Sequence, residues 1–145
     1  MADTRVQIEV EDWVRRHWMP AHFGCNFARE RLRLGSGGVF DFDAVSPDNR
    51  IVATISASGA KTASGKHAVG KVLKIRSDKL FLLLVDADRR IIVLTESDMY
   101  EQCLKEHEGG RVPPEIEFVC AELPTDLKTR LVQARGRSSE EVSPR

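Results

Sequence analysis

Two short alternating runs on either side of one turn constrain this chain more than any other feature. Val39–Val45 reads VFDFDAV and residues 51–57 read IVATISA, with Ser46-Pro47-Asp48-Asn49 between them. A period of two marks a strand, because successive side chains point to opposite faces. Proline presets the backbone for a turn, and Asp and Asn bond back to it, so the runs are expected to return on each other as an antiparallel hairpin. On the first run Asp41 and Asp43 share a face, and Phe40, Phe42 and Ala44 the other. On the second, Thr54, Ser56 and Ser58 share a face, and Ile51, Ala53, Ile55 and Ala57 the other. The turn can set both polar sets on one side. That side is either a functional patch of acids and hydroxyls or the solvent-facing side of an antiparallel sheet.

The segment after the hairpin narrows the chemistry. Residues 53–71 (ATISASGAKTASGKHAVGK) run from strand into a Gly/Ser/Ala loop and then into a basic stretch. A phosphate-binding loop is built on the same plan, with GxxxxGK before Ser or Thr. Its glycines let backbone N–H groups wrap phosphate, its lysine reaches the terminal phosphates and its hydroxyl binds magnesium. Counting back from Gly65-Lys66, the first glycine falls due at Ala60, with Gly59 one place early, and the hydroxyl falls due at His67. The pattern fails at both positions, so no nucleotide cofactor is expected. Residues 66–79 are expected as a helix, with Val69, Val72, Leu73 and Ile75 on or near one face. Lys61, Lys66, Lys71, Lys74, Lys79 and Arg76 make this segment basic, and only Asp78 opposes them. It is a candidate nucleic-acid contact or else a solvated helix face.

The remaining elements set the class. Residues 80–85 (LFLLLV), apolar on both faces, are expected as a central strand, and residues 90–94 as another after an Asp-rich turn. Upstream, Val6, Val10, Trp13 and Val14 recur at helical spacing within residues 5–18, and Pro20 lies just beyond. Residues 28–34 fit a strand leading to the turn Gly35-Ser36-Gly37-Gly38. Downstream, a helix over residues 97–107 is stopped by Gly109-Gly110, then come a short strand at 116–121 and a last helix at 125–134. The sum is an α/β fold, a mixed sheet flanked by helices, in one domain over residues 1–134. The tail 135–145 has almost no apolar content and is expected to be disordered.

Composition excludes several classes. The chain has 145 residues, with 22 basic and 22 acidic side chains, so any basic surface must be local. Cys25, Cys103 and Cys120 are odd in number and form no CxxC, which argues against a disulfide framework or a zinc ribbon. His17, His22 and Cys25 lie close in sequence but lack a fourth ligand nearby. Trp13 and Trp18 are expected as core or dimer-interface anchors. The opening MADTRVQIEVEDW has no apolar signal region, and no stretch approaches the ~18 apolar residues of a membrane span. A cytoplasmic protein with no membrane contact is expected.

The stretch GGVFDFDAVSPDNRIVATISAS, followed by the basic helix at 66–79 and the run LFLLLVDA, resembles the PD-(D/E)xK superfamily, the restriction-endonuclease-like fold. Helix, three-stranded meander, helix, strand, over roughly residues 5–95, is that family's core order. The resemblance implies a metal-binding Asp on the second strand, at Asp43. It also implies (D/E)-x-K on the third strand, where the acid completes a magnesium site and the lysine positions or activates water. Those positions fall on Thr54 and Ser56. A threonine hydroxyl is a poor magnesium ligand beside a carboxylate, and serine carries no positive charge. Glu30 matches a position where an acid sometimes assists. Asp41 could supply a second carboxylate, and Lys71 or Lys74 a relocated lysine.

The expectation is therefore a degenerate, non-cleaving nuclease-like domain that binds DNA, RNA or a protein partner through residues 61–79, without a cofactor. One alternative is an active Mg2+-dependent endonuclease working through relocated residues. The other is a structural or oligomerisation module that touches no nucleic acid. A homodimer is compatible with each.

Overall fold

The computed structural model describes residues 4–59 and 69–142, and side chains within 5–59 and 70–134. Helix α1 (Thr4–Trp13) passes through a π turn (Val14–Trp18) into α2 (Met19–Phe23). Strands β1 (Ala28–Arg33), β2 (Val39–Val45) and β3 (Ile51–Ser56) come next as a meander. Helix α3 (Val69–Leu84) precedes β4 (Arg89–Leu94), α4 (Ser97–Glu108) precedes β5 (Ile116–Cys120), and α5 (Thr125–Val142) comes last. The strands form one sheet in the order β1-β2-β3-β4-β5. The meander pairs are antiparallel, and β3–β4 and β4–β5 are parallel. Each parallel join is made through a helix, as a crossover between parallel strands requires. The α/β class and the mixed sheet are as the sequence implies.

The hairpin turn forms as its residues dictate. Asp48 Oδ1 accepts from the Ser46 hydroxyl at 2.7 Å and from the Arg50 backbone N–H at 3.1 Å. Asn49 sits at φ 61°, a left-handed conformation that Asn tolerates better than most residues.

Both faces of the sheet are covered. On one, Val6, Val10 and Val14 of the N-terminal helix and Leu127 and Leu131 of α5 pack with Ala44, Ala53, Ile55, Ile91 and Val93. On the other, Ile75 and Leu82 of α3 and Met99 and Cys103 of α4 pack with Phe42, Val52, Ile92 and Leu94. Strand β4 divides its side chains between the two cores, and Ile91 to Leu94 are all fully buried. The side carrying Thr54 and Ser56 is thus not solvent-facing; both residues are buried.

The run LFLLLV, expected as a central strand, is helical up to its last residue. It is the last part of α3 and the turn beyond it, and the apolar central strand is β4 instead. Ile75, Leu82 and Val85 are buried at helical spacing while Leu80 is 54% exposed, which a strand buried on both faces would not allow. Leucine is also a strong helix former, and only Val85 in the run is β-branched. Arg90 closes the helix end by donating to the carbonyls of Leu82 (2.7 Å) and Val85 (2.8 Å), groups that no further helical N–H can reach.

Pro20 lies inside the N-terminal helix rather than beyond it, at the start of α2. It lacks an N–H and clashes with the carbonyl four residues back. The π turn just before it widens the helix there, with the Met19 N–H donating to the Val14 carbonyl. Gly24, at φ 80°, ends α2 and donates to the Pro20 carbonyl at 2.9 Å. At the other end of the chain, α5 continues to Val142, past the expected stop at 134; residues 143–145 lie outside the described residues.

Candidate functional site at the parting of β2 and β3

Strands β2 and β3 pair only near their turn, through Ala44 with Ala53 and Val45 with Val52. Beyond that point β2 keeps its partner β1 and β3 keeps its partner β4. The β1–β2 register shifts between Ala28 and Glu30, so that β2 carries an extra residue at the same place. Such a bulge bends a strand and re-aims its side chains. Asp43 occupies the fork. Its Oδ2 accepts from the Ile55 N–H at 2.8 Å, taking the place of a ladder bond. Its own carbonyl accepts from Arg15 Nε at 2.9 Å, and Arg15 is a buried residue of the π turn.

Three elements bring further charges to the fork. Glu11 of α1 is partly buried; that burial, and then the Asp43 carboxylate, push its pKa up against the pull of Arg15, Lys74 and Arg29. Asp78 of α3 is only 3% exposed. Burial raises its pKa, Asp43 adds to the rise, and Lys74 opposes it through bonds of 3.0 and 3.3 Å to the two carboxylate oxygens. Thr54 lies under α3 at 2% exposure, and its hydroxyl makes no hydrogen bond of ordinary geometry. It lies near enough to Asp78 to favour the charged acid slightly, the least of the influences on that group. The Ser56 hydroxyl accepts from the Ser58 N–H at 3.4 Å.

Of the residues expected to act, Asp43, Thr54 and Lys74 meet at the fork, and Ser56 lies further along β3. Asp41 and Glu30 do not join them. Asp41 is exposed and held by Arg31 through bonds of 2.8 and 3.2 Å, and that pairing keeps its carboxyl below the usual range. Glu30 is exposed on β1 opposite Phe42. Among the described residues no group of three or more His, Cys, Asp or Glu is placed to hold a metal ion. Asp43 spends a carboxylate oxygen on Ile55 instead. His22 stacks on Trp18 at 4.5 Å between ring centres, and His17 lies 6.1 Å from Trp13.

The basic segment is also altered by folding. Lys74 pairs with Asp78. Buried Lys79 and Arg76 both pair with Glu106 of α4, at 2.9 and 3.0 Å. Lys71 is exposed on the first turn of α3. Lys61 and Lys66 lie outside the described residues.

Sequence reasoning missed Glu11, Arg15 and Arg29, and saw Asp78 only as a lone acid among lysines. The four-residue spacing of Lys74 and Asp78 was a readable signal of a helix pair. The convergence of α1, β1 and α3 on Asp43 has no local signature.

No protein-family model, curated protein or solved structure matches this chain. No helix among the described residues is long and apolar enough to cross a membrane.

Proposed function

We propose that this chain is a restriction-endonuclease-like domain whose cleavage site has degenerated and which binds nucleic acid without cutting it. One observation carries the reading. At the fork of β2 and β3, where the resemblance calls for an acid on β3, the residue is Thr54, whose buried hydroxyl carries no charge, while Asp43 spends one carboxylate oxygen on the Ile55 N–H. A site that polarises phosphate through magnesium needs free carboxylate oxygens. The sheet order and the helix between β3 and β4 support the same reading. Three free cysteines are in keeping with a cytoplasmic setting.

The test is cleavage of supercoiled plasmid and of single-stranded RNA with Mg2+ or Mn2+, alongside calorimetry with Mn2+. The expected result is no product and no micromolar metal binding. Nicking that disappears in Asp43→Ala would sink the reading.

A second reading is supported by the Lys74–Asp78 pair, which α3 presents beside Asp43 and Glu11. An active enzyme with relocated groups would use these and not Asp41 or Glu30. It requires cleavage by the intact protein that is lost in both Lys74→Ala and Asp78→Asn.

A further inference from the structure

We infer that the nucleic-acid contact is an arginine row on the edge strand β1, made of Arg29, Arg31 and Arg33, rather than the acid-paired cations of α3. The inference rests on the nucleic-acid reading above.

Strand β1 is the end strand of the sheet, paired with β2 alone. All its residues are exposed except Leu32, which packs with the α3-side core. Alternation then puts Arg29, Arg31 and Arg33 together on the opposite face, the side of α1. The Arg31–Asp41 pair and the influence of Arg29 on Glu11 place them there too. Neighbouring arginines are spaced by two strand residues, about 7 Å, a step comparable with that between successive phosphates of one nucleic-acid strand.

The charges on this face are unequally engaged. Arg31 is gripped side-on by Asp41, which leaves one terminal nitrogen of the guanidinium outside the pair. Arg33 stands opposite Val39, which is 58% exposed and carries no charge. Arg29 falls at the register shift, where β1 has no direct cross-strand neighbour. Neither Arg29 nor Arg33 is ion-paired among the described residues. By contrast Lys74, Arg76 and Lys79 of α3 are each held by an acid. Any charge on an edge strand deters edge-to-edge pairing. That need does not explain why the cations occupy one face while Glu30 lies on the other. Planar guanidinium groups in a row suit phosphate, whose oxygens accept their paired N–H donors.

The experiment measures binding of the full chain to a fluorescent 20-nucleotide DNA, single-stranded and duplex, across a salt series. Arg29→Ser/Arg33→Ser is compared with Lys71→Ser, and thermal melting confirms that each variant folds. The expected result is binding by the wild type, at least tenfold weaker in the double variant. Its slope against log salt should fall by about two on duplex DNA, close to one for each phosphate no longer neutralised. Asp41→Asn, which releases Arg31, should tighten binding, and Lys71→Ser should leave it within twofold. An unchanged affinity in the double variant with a weaker affinity in Lys71→Ser would overturn the arginine row but leave nucleic-acid binding standing. Failure of the wild type to bind even at low salt would overturn both.

Discussion

Thr54 and Asp43 are the two residues on which the fork depends, and they make opposite demands. A buried hydroxyl without a partner costs about 1–3 kcal/mol relative to a satisfied or absent one. Thr54→Val keeps the shape and removes the hydroxyl, so it is expected to raise unfolding stability by about 1 kcal/mol in urea titration. Asp43→Ala leaves the Ile55 N–H without its charged acceptor and should cost about 2 kcal/mol, while Asp43→Asn retains an acceptor and should cost less. Protonation acts on the same cluster. Glu11 and Asp78 have pKa values raised above 4.5 and 3.8 in the fold. Between each raised value and its ordinary one the folded chain binds more protons than the unfolded chain, so stability rises as pH falls through that window. Burial also works to raise Glu106, but hydrogen bonds from Lys79 and Arg76 outweigh it and hold that acid below 4.5. Its contribution is present above 4.5 and lost as pH falls through the depressed value. The melting temperature should therefore peak on the acid side of neutrality, and Asp78→Asn should flatten the rise toward that peak. The sequence places Asp43 and Thr54 in register because both lie on one hairpin with a legible turn. Glu11 and Asp78 were not legible as partners, since they arrive from helices on opposite sides of the sheet.

Among the elements, α3 shows where local pattern fails. Strands β1 to β5 and helix α4 are legible from alternation, apolar runs, turn residues and helix stops. The run LFLLLV has no alternation to betray its period, so a buried strand and a half-buried helix look alike over six residues. Packing decides: Leu82 is fully buried and Leu80 faces outward. Leu82→Ala is expected to cost about 2–5 kcal/mol, whereas Leu80→Gln should shift stability by no more than ~0.5 kcal/mol. Chemical denaturation of the two variants checks the helical assignment, because a central strand would make both changes costly. The π turn was equally hidden. Pro20 signals an interruption, but whether a helix ends or widens there depends on tertiary contacts such as Arg15 to the Asp43 carbonyl.

At the scale of the molecule, the strands lie in the sheet in the order in which they occur in the chain, and β4 sits inside both cores. Amide exchange should be slowest at Ile91 to Leu94, close to the global unfolding limit, and fastest among the strands along the outer edge of β1. Comparable protection of β1 and β4 would contradict this layout. The fork has a mechanical consequence as well. Past Asp43, β1 and β2 continue as a two-stranded ribbon, joined to the body by Phe42, Leu32 and Leu34 in the α3-side core, by the stacking of Phe40 on Phe81 at 4.2 Å and by the Gly35 N–H to the Leu84 carbonyl at 2.7 Å. Two-stranded ribbons twist more than wide sheets and have little stability of their own. This ribbon is therefore tied to the plate by side chains on one face rather than by backbone bonds to β3, with Asp43 at the seam.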